Sequence, residues 1–204
     1  MIKLLLATNN QGKLEELRSL LNGLDLKLVT PADLGLNLQV KETGESYREN
    51  AILKAAGFAK ATNLWSLADD TGLEVEALDG APGLYSARYA PQPDATDKDR
   101  RLVLLQNLEE KSQPWKAVFR CVVALCGPDG SIITKDGACP GEIIPEERGE
   151  GGFGYDPIFL LEVLRLTMAE LSLVDKNALS HRSRAVWKIL PVLKELSSRG
   201  KITE

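Results

Sequence analysis

Histidine occurs once, as His181, and cysteine three times, as Cys121, Cys126 and Cys139, in 204 residues. No C-x-x-C pair and no Cys/His cluster of zinc spacing is present, which excludes the common structural zinc centres. An odd number of thiols in a chain this long also excludes a disulfide framework. They read as small apolar residues buried in a protein of the reducing cytoplasm. Positive charge is not in excess: the formal net charge is -4, so overall charge gives no reason to expect a nucleic-acid backbone as partner. An anionic small ligand would need locally gathered lysine and arginine. Long apolar runs are missing too. The opening Met1-Ile2-Lys3-Leu4-Leu5-Leu6-Ala7 breaks at Asn9-Asn10, short of a signal-peptide core. Nothing approaches the ~20 residues of a membrane span. With 44% apolar and 26% charged residues and no biased tract, the chain suits one core, or one domain with two lobes.

The order of elements points to an α/β architecture. Residues 2–7 read as a buried strand and residues 8–12 as a polar turn. Residues 13–21 read as a helix with Leu14, Leu17 and Leu21 on one face and Glu15, Glu16 and Arg18 elsewhere. Residues 26–29 give a second strand, so the opening is β-loop-α-β. A long helix is expected over 46–62, with Ala51, Ala55, Phe58 and Thr62 as its buried stripe and Asn50 and Lys54 one turn apart on a single face. A short strand, 66–68, is expected to end in Asp69-Asp70-Thr71-Gly72, and 73–78 to continue extended. Thr96 with Asp99 predicts a capping box and a helix to Leu108. Strands over 116–126 and 131–138 flank Gly127-Pro128-Asp129-Gly130, a hairpin signal. Residues 141–154 read as glycine-rich loop and 157–161 as a strand. The C-terminal part is helical, with a kink or restart expected at Pro191. The central hairpin suggests a second lobe. The fold expected is a two-lobed single domain over 1–204, a mixed β-sheet flanked by helices with a central cleft.

Four segments carry candidate chemistry. The turn Thr8, Asn9, Asn10, Gln11, Gly12 ahead of Lys13 presents backbone N–H groups at a positive helix end and suits phosphate. It is not a Walker A loop, since Ala7 and Leu14 stand where Gly and Ser/Thr belong. Asp69 and Asp70 are adjacent carboxylates whose mutual repulsion and desolvation a divalent cation would relieve, and magnesium takes one or two carboxylates plus phosphate oxygens. Glu42 and Glu45 are possible further ligands. In Gly149-Glu150-Gly151-Gly152-Phe153-Gly154-Tyr155-Asp156 the glycines allow close backbone approach. There Phe153 or Tyr155 could stack on a base and Asp156 could accept from a ring N–H. Lys176, His181 and Arg182 are donors suited to a carbonyl-rich ligand edge. A purine nucleoside triphosphate fits all four segments.

These residues resemble a known family. Leu-Ala-Thr-Asn-Asn-Gln-Gly-Lys at 6–13, Glu-Thr-Gly at 42–44, Glu-Asn-Ala-x-x-Lys-Ala at 49–55 and Ala-Asp-Asp-Thr-Gly-Leu at 68–73 are similar to the inosine triphosphate pyrophosphatases, also called dITP/XTP pyrophosphatases. Gly-Ala-Pro-Gly-x-Tyr-Ser-Ala-Arg-Tyr at 80–89, Gly-Gly-Phe-Gly-Tyr-Asp-Pro-Ile-Phe at 151–159 and Ser-His-Arg at 180–182 follow in the family's order. The resemblance implies a two-lobed α/β fold, a homodimer, magnesium dependence and hydrolysis of ITP, dITP and XTP to the monophosphate and pyrophosphate. It implies Asp70 as catalytic base and magnesium ligand with Glu42 as second ligand. It assigns substrate binding to Thr71 and residues 8–13, and the nucleoside to Phe153, Gly154, Tyr155, Asp156, Lys176, His181 and Arg182. The sequence departs from the family pattern at Asn9, often Gly in relatives, and over 160–166, where relatives usually carry a polar turn with Gly-Lys. The alternatives are a pyrophosphatase for other modified nucleotides and a nucleotide-binding sensor without turnover.

Overall fold

The computed structural model describes residues 1–199, and the side chains of residues 1–198; the expected domain of 1–204 thus ends outside the described residues. The strands are β1 (Ile2–Leu6), β2 (Leu26–Val29), β3 (Trp65–Val75), β4 (Pro82–Gly83), β5 (Trp115–Cys126), β6 (Ile132–Ile143), β7 (Phe159–Leu161) and β8 (Leu166–Thr167). The helices are α1 (Gln11–Leu20), α2 (Tyr47–Thr62), α3 (Asp97–Leu108), α4 (Leu173–Leu179) and α5 (His181–Arg199). Strand order is β2-β1-β3-β5-β6-β7-β8, with β4 on β3. β1 is parallel to β2 and to β3, while β4 on β3, β7 on β6 and β8 on β7 are antiparallel. The α/β class and the mixed sheet match the sequence expectation.

The chain divides into two compact units, one holding residues 1–70, 121–137 and Arg182 onward, the other residues 71–120 and 138–181. In the first unit, the two faces of the sheet bury separate clusters. Leu4, Leu6 and Leu67 pack with Leu14 and Leu17 of α1 and with Ala185, Ile189 and Leu193 of α5. Leu5, Ala7 and Ala68 pack with Ala51, Ala55 and Phe58 of α2. Successive strand residues alternate between faces, so α1 and α5 lie on one side and α2 on the other. In the second unit, Leu104 and Leu108 of α3 join Leu73, Val75, Phe119, Tyr155 and Phe159 in one core.

The capping chemistry explains the helix starts. Asn10 accepts from the Lys13 N–H, Ser46 from the Glu49 N–H and Ser172 from the Asp175 N–H, and Thr96 with Asp99 forms the expected capping box. The hairpin signal at 127–130 is a turn, closed by Gly127 N–H to the Ser131 carbonyl at 2.9 Å and Gly130 N–H to the Gly127 carbonyl at 3.0 Å.

Several boundaries differ from expectation. β3 is one strand of 11 residues running through the acidic pair; it does not end there, because Asp69 and Asp70 each find cationic partners within the fold. β6 extends to Ile143, beyond the expected 138, and takes in Gly141. α5 runs through Pro191 without a restart; its apolar stripe, Val186, Ile189 and Leu193, is fully buried on both sides of the proline, and that packing outweighs one lost helical bond. Residues 160–166, where the sequence departs from the family pattern, form the β7–β8 hairpin, with Arg165 at φ 57° closing its turn.

Gly141 is held by contact distance. A Cβ there would lie 2.5 Å from the Leu160 carbonyl oxygen and 2.6 Å from the Phe159 ring. Gly141→Ala should therefore destabilise the fold by about 1–3 kcal/mol, the scale of overpacking. A urea midpoint equal to that of the parent protein would contradict this contact.

Candidate active site

In the first unit, the acids of β3 lie side by side in sequence and apart in space. Strand alternation sends Asp69 to the side of Leu67, facing α1 and α5, and Asp70 to the side of Ala68, facing α2. The structure confirms the split through their partners. Asp69 Oδ2 lies 3.0 Å from Lys13 Nζ and accepts from Arg182 Nε at 3.2 Å and Nη2 at 3.1 Å. Asp70 Oδ1 accepts from Lys54 Nζ at 2.8 Å, and Asp70 Oδ2 from Asn50 at 3.4 Å. The two carboxylates thus take their close ion pairs from opposite sides, Asp69 from Lys13 and Arg182 and Asp70 from Lys54.

On the α1 side, Arg182 is only 1% exposed, and its guanidinium also bonds Glu16, itself 2% exposed. Glu16 was expected away from the apolar face of α1. It is buried because Arg182 supplies the charge-assisted hydrogen bonds a carboxylate needs inside a core. Arg182, expected to hold the nucleoside, also ties α1, β3 and α5 together. Burial alone would push the Asp69 carboxyl up, but the charges of Lys13, Arg182 and Lys54 win and hold it far below the ordinary carboxylate range. These charges favour the ionised form of Asp69, which pairs with Lys13 at the start of α1. The side-chain oxygen of Asn10 caps the same turn through the Lys13 N–H at 3.0 Å, and Thr8 Oγ1 accepts the Asn10 N–H at 3.2 Å. Asn9, Asn10 and Gln11 are exposed, while Thr8, Gly12 and Lys13 are half-buried. This turn has the geometry of an anion site at a helix N-terminus, with a lysine charge added.

On the α2 side, Lys54 Nζ lies 2.8 Å from both Asp70 Oδ1 and Glu42 Oε1. The i, i+4 spacing of Asn50 and Lys54 aims both at Asp70. Asn50 also accepts the Gly44 N–H at 2.8 Å, which anchors the loop carrying Glu42. Gly44 has to be glycine, since a Cβ would meet Asn50 Oδ1 at 2.8 Å and Glu49 Cβ at 2.6 Å. Burial pushes the Asp70 carboxyl up, Lys54 opposes it, and the charge of Glu42 adds to the rise. Burial also works against the Lys54 charge, but Asp70 and Asp69 raise its pKa. Asn50 and Lys54 are the members that reading for acids and glycines missed; the signal was a polar pair at helical spacing beside an Ala-rich buried stripe.

Glu45 is exposed and its N–H donates to Glu49 Oε2 at 2.7 Å, so that N–H belongs to the cap of α2. Thr71 follows Asp70 in β3 and is half-buried.

In the second unit, the glycine-rich segment is tightly bonded. Asp156 accepts the Phe153 N–H at 2.8 Å and a bond from Lys176 of α4. Lys176 Nζ also sits 4.8 Å from the centroid of the Phe153 ring, within cation–π range. Tyr155 is buried, its hydroxyl donating to the Ser86 carbonyl at 2.9 Å, so its ring belongs to the core. His181 is buried and stacks on Phe119, with centroids 4.7 Å apart and planes 16° from parallel. Phe153 and Gly154 are half-buried. The structure thus brings Phe153, Asp156 and Lys176 into one group. Among the described residues no set of three or more His, Cys, Asp or Glu forms a metal cluster, and none of the cysteines is in a disulfide. No helix among the described residues is long and apolar enough to cross a membrane.

The depressed Asp69 pKa has a thermodynamic consequence. A carboxyl held below its unfolded value stabilises the fold above the ordinary carboxylate range, and that stability is lost as pH falls through this range toward the folded value. Asp69→Asn should cost about 3–5 kcal/mol at neutral pH, because Arg182 and Lys13 then face an uncharged partner. It should also flatten the stability loss that the parent protein shows on acidification below about pH 4. Urea titrations across pH measure both; parallel pH profiles for variant and parent would contradict the assignment.

The chain is similar to known proteins over nearly its whole length. A dITP/XTP pyrophosphatase of Synechocystis is 49% identical over 189 residues, 92% of this chain and 93% of the relative. One from Desulforamulus reducens is 44% identical over 197 residues, 96% of this chain and 97% of the relative. The solved structure of a HAM1 protein from Coxiella burnetii has a TM-score of 0.85 at 41% identity, covering 96% of this chain and all of that one. The sequence matches the Ham1 family over residues 4–192, so the chain belongs to the Ham1 family.

Proposed function

We propose that this protein is a magnesium-dependent nucleoside-triphosphate pyrophosphatase, one domain over 1–204, that converts ITP, dITP and XTP to the monophosphate and pyrophosphate. In doing so it would clear deaminated purines from the nucleotide pool. The observation that carries the reading is the convergence of Glu42 and Asp70 on one cationic nitrogen, each at 2.8 Å. Relatives that match nearly the whole chain are named dITP/XTP pyrophosphatases. The homodimer rests on the family resemblance, and the cytoplasmic placement on the cysteine usage.

Glu42 and Asp70 would hold Mg2+. They fit a hard cation: their oxygens already gather around a single positive charge, and with Lys54 the charges of the three sum to negative. Magnesium asks for one or two carboxylates and takes the rest of its oxygens from phosphates and water. When bound, the ion neutralises charge on the phosphate oxygens. Asp70 orients and deprotonates a water that attacks the α-phosphorus in line, and the bond from that phosphorus to the departing pyrophosphate oxygen breaks. Lys13 and the N–H groups at the start of α1 take phosphate oxygens, with Thr8, Asn9, Asn10, Gln11, Gly12 and Thr71 as further contacts. Lys54 keeps Asp70 oriented and adds positive charge where negative charge develops.

The nucleoside falls to Phe153, Gly154, Tyr155, Asp156, Lys176, His181 and Arg182. A 6-keto purine accepts hydrogen bonds from the Lys176 or His181 donors. The 6-amino group of adenine is itself a donor and offers those donors no acceptor, which supports discrimination of roughly 10⁴ or more.

Pyrophosphate release from ITP, dITP, XTP, GTP, ATP and modified pyrimidine triphosphates tests the reading. The expected outcome is turnover of the first three that stops on chelation of divalent metal, with ATP disfavoured. Asp70→Asn should lower kcat by about 10²–10⁴ with the circular dichroism spectrum unchanged. Lys54→Met should lower it by about 10²–10³. Equal turnover of ATP and ITP, or near-normal activity of Asp70→Asn, would overturn the proposal.

A further inference from the structure

Helix α3 carries none of the residues assigned above, yet it grips the nucleoside loop through the backbone. Asp97 and Arg101 are one turn apart on the same face of α3. Asp97 Oδ2 accepts the Gly154 N–H at 2.7 Å, and Arg101 Nη1 donates to the Gly154 carbonyl at 2.8 Å. The N–H belongs to the peptide plane before Gly154 and the carbonyl to the plane after it. Because each peptide is planar, fixing both planes fixes the only soft dihedrals between them. Gly154 sits at φ 63°, a conformation L side chains rarely adopt. The relative direction of Phe153 on one side and Tyr155-Asp156 on the other is therefore set from α3.

The clip is itself built in. Arg101 is 9% exposed, and its fork holds Glu147 through Nε to Oε1 and Nη2 to Oε2, both at 2.9 Å. Arg100 bonds Asp97 Oδ1 and the Ala95 carbonyl. A bidentate fork plus a third bond is geometry that lysine cannot reproduce. Burial works against the Asp97 charge, but the Gly154 N–H and Arg100 hold the carboxyl below its ordinary value.

We infer that Asp97 and Arg101 are positioning residues for base recognition: they set the Phe153–Gly154 backbone and thereby which purine the loop accepts. This rests on the proposed function, and the experiment separates the two. Asp97→Ala removes the acceptor, and Asp97→Asn restores an acceptor of the same shape. Arg101→Lys keeps the charge and loses the fork. KM and kcat for ITP and ATP are measured for each, with inorganic pyrophosphate inhibition as a separate probe of the phosphate end and melting temperature as a fold check.

For Asp97→Ala the KM for ITP should rise about tenfold, the scale of one hydrogen bond to a charged group, with kcat within about twofold. The ITP-to-ATP ratio of kcat/KM should fall by a similar factor while pyrophosphate inhibition stays unchanged. Asp97→Asn should recover most of the loss. Arg101→Lys should move in the same direction, and it carries the test should Asp97→Ala fail to fold. An unchanged KM and ratio in a folded variant overturns the inference, as does a fall in kcat with KM intact. Failure of the parent protein to cut ITP would instead sink the functional reading.

Discussion

Two consecutive residues of a β-strand cannot face the same way. That constraint organises the first unit, because the two residues in question are both aspartates, 2% and 7% exposed. Each carboxylate carries a desolvation cost of several kcal/mol that only opposite charge and hydrogen bonds can offset. The cations must therefore come from both sides of the sheet. Lys13 and Arg182 answer from α1 and α5, and Lys54 answers from α2. The pairing divides labour as well as charge. Asp69 is held by the Arg182 guanidinium and by Lys13, whose charges favour its carboxylate form. Asp70 is held by the Lys54 ammonium and the Asn50 amide, with the like charge of Glu42 on the far side of that ammonium.

The same constraint ranks the two acids by chemistry. A general base must be able to exchange its proton, and a group far below the ordinary range is a poor one. Asp69 is such a group, whereas burial and the neighbouring Glu42 lift Asp70. Sequence alone presents the pair as equivalent neighbours; their environments make them different.

What was legible in the sequence follows from how local each signal is. The capping box at Thr96, the apolar stripes of α1 and α2 and the turn at 127–130 are decided by residues a few positions apart, and they fall where expected. The buried Glu16 was not legible, because its partner Arg182 lies 166 residues away and a lone glutamate beside a leucine stripe reads as solvated. The length of β3 was missed for the same reason: consecutive acids look like a strand end unless the distant cations that satisfy them are known. Pro191 looked like a break, but the packed stripe on either side of it belongs to the tertiary structure.

The glycine-rich loop shows a different limit. Its glycines suggested room for a ligand, yet one of them is required by the protein's own acid. A Cβ on Gly152 would stand 2.1 Å from Asp156 Oδ2, so glycine here lets the Asp156 carboxylate reach back to the Phe153 N–H. That carboxylate also holds Lys176, whose ammonium in turn lies over the Phe153 ring. Gly152, Phe153, Asp156 and Lys176 form a closed circuit in which each contact depends on the one before it. Such a circuit is rigid before any ligand arrives. The proposed discrimination of a keto from an amino group needs that rigidity, because a donor free to turn aside would tolerate either one.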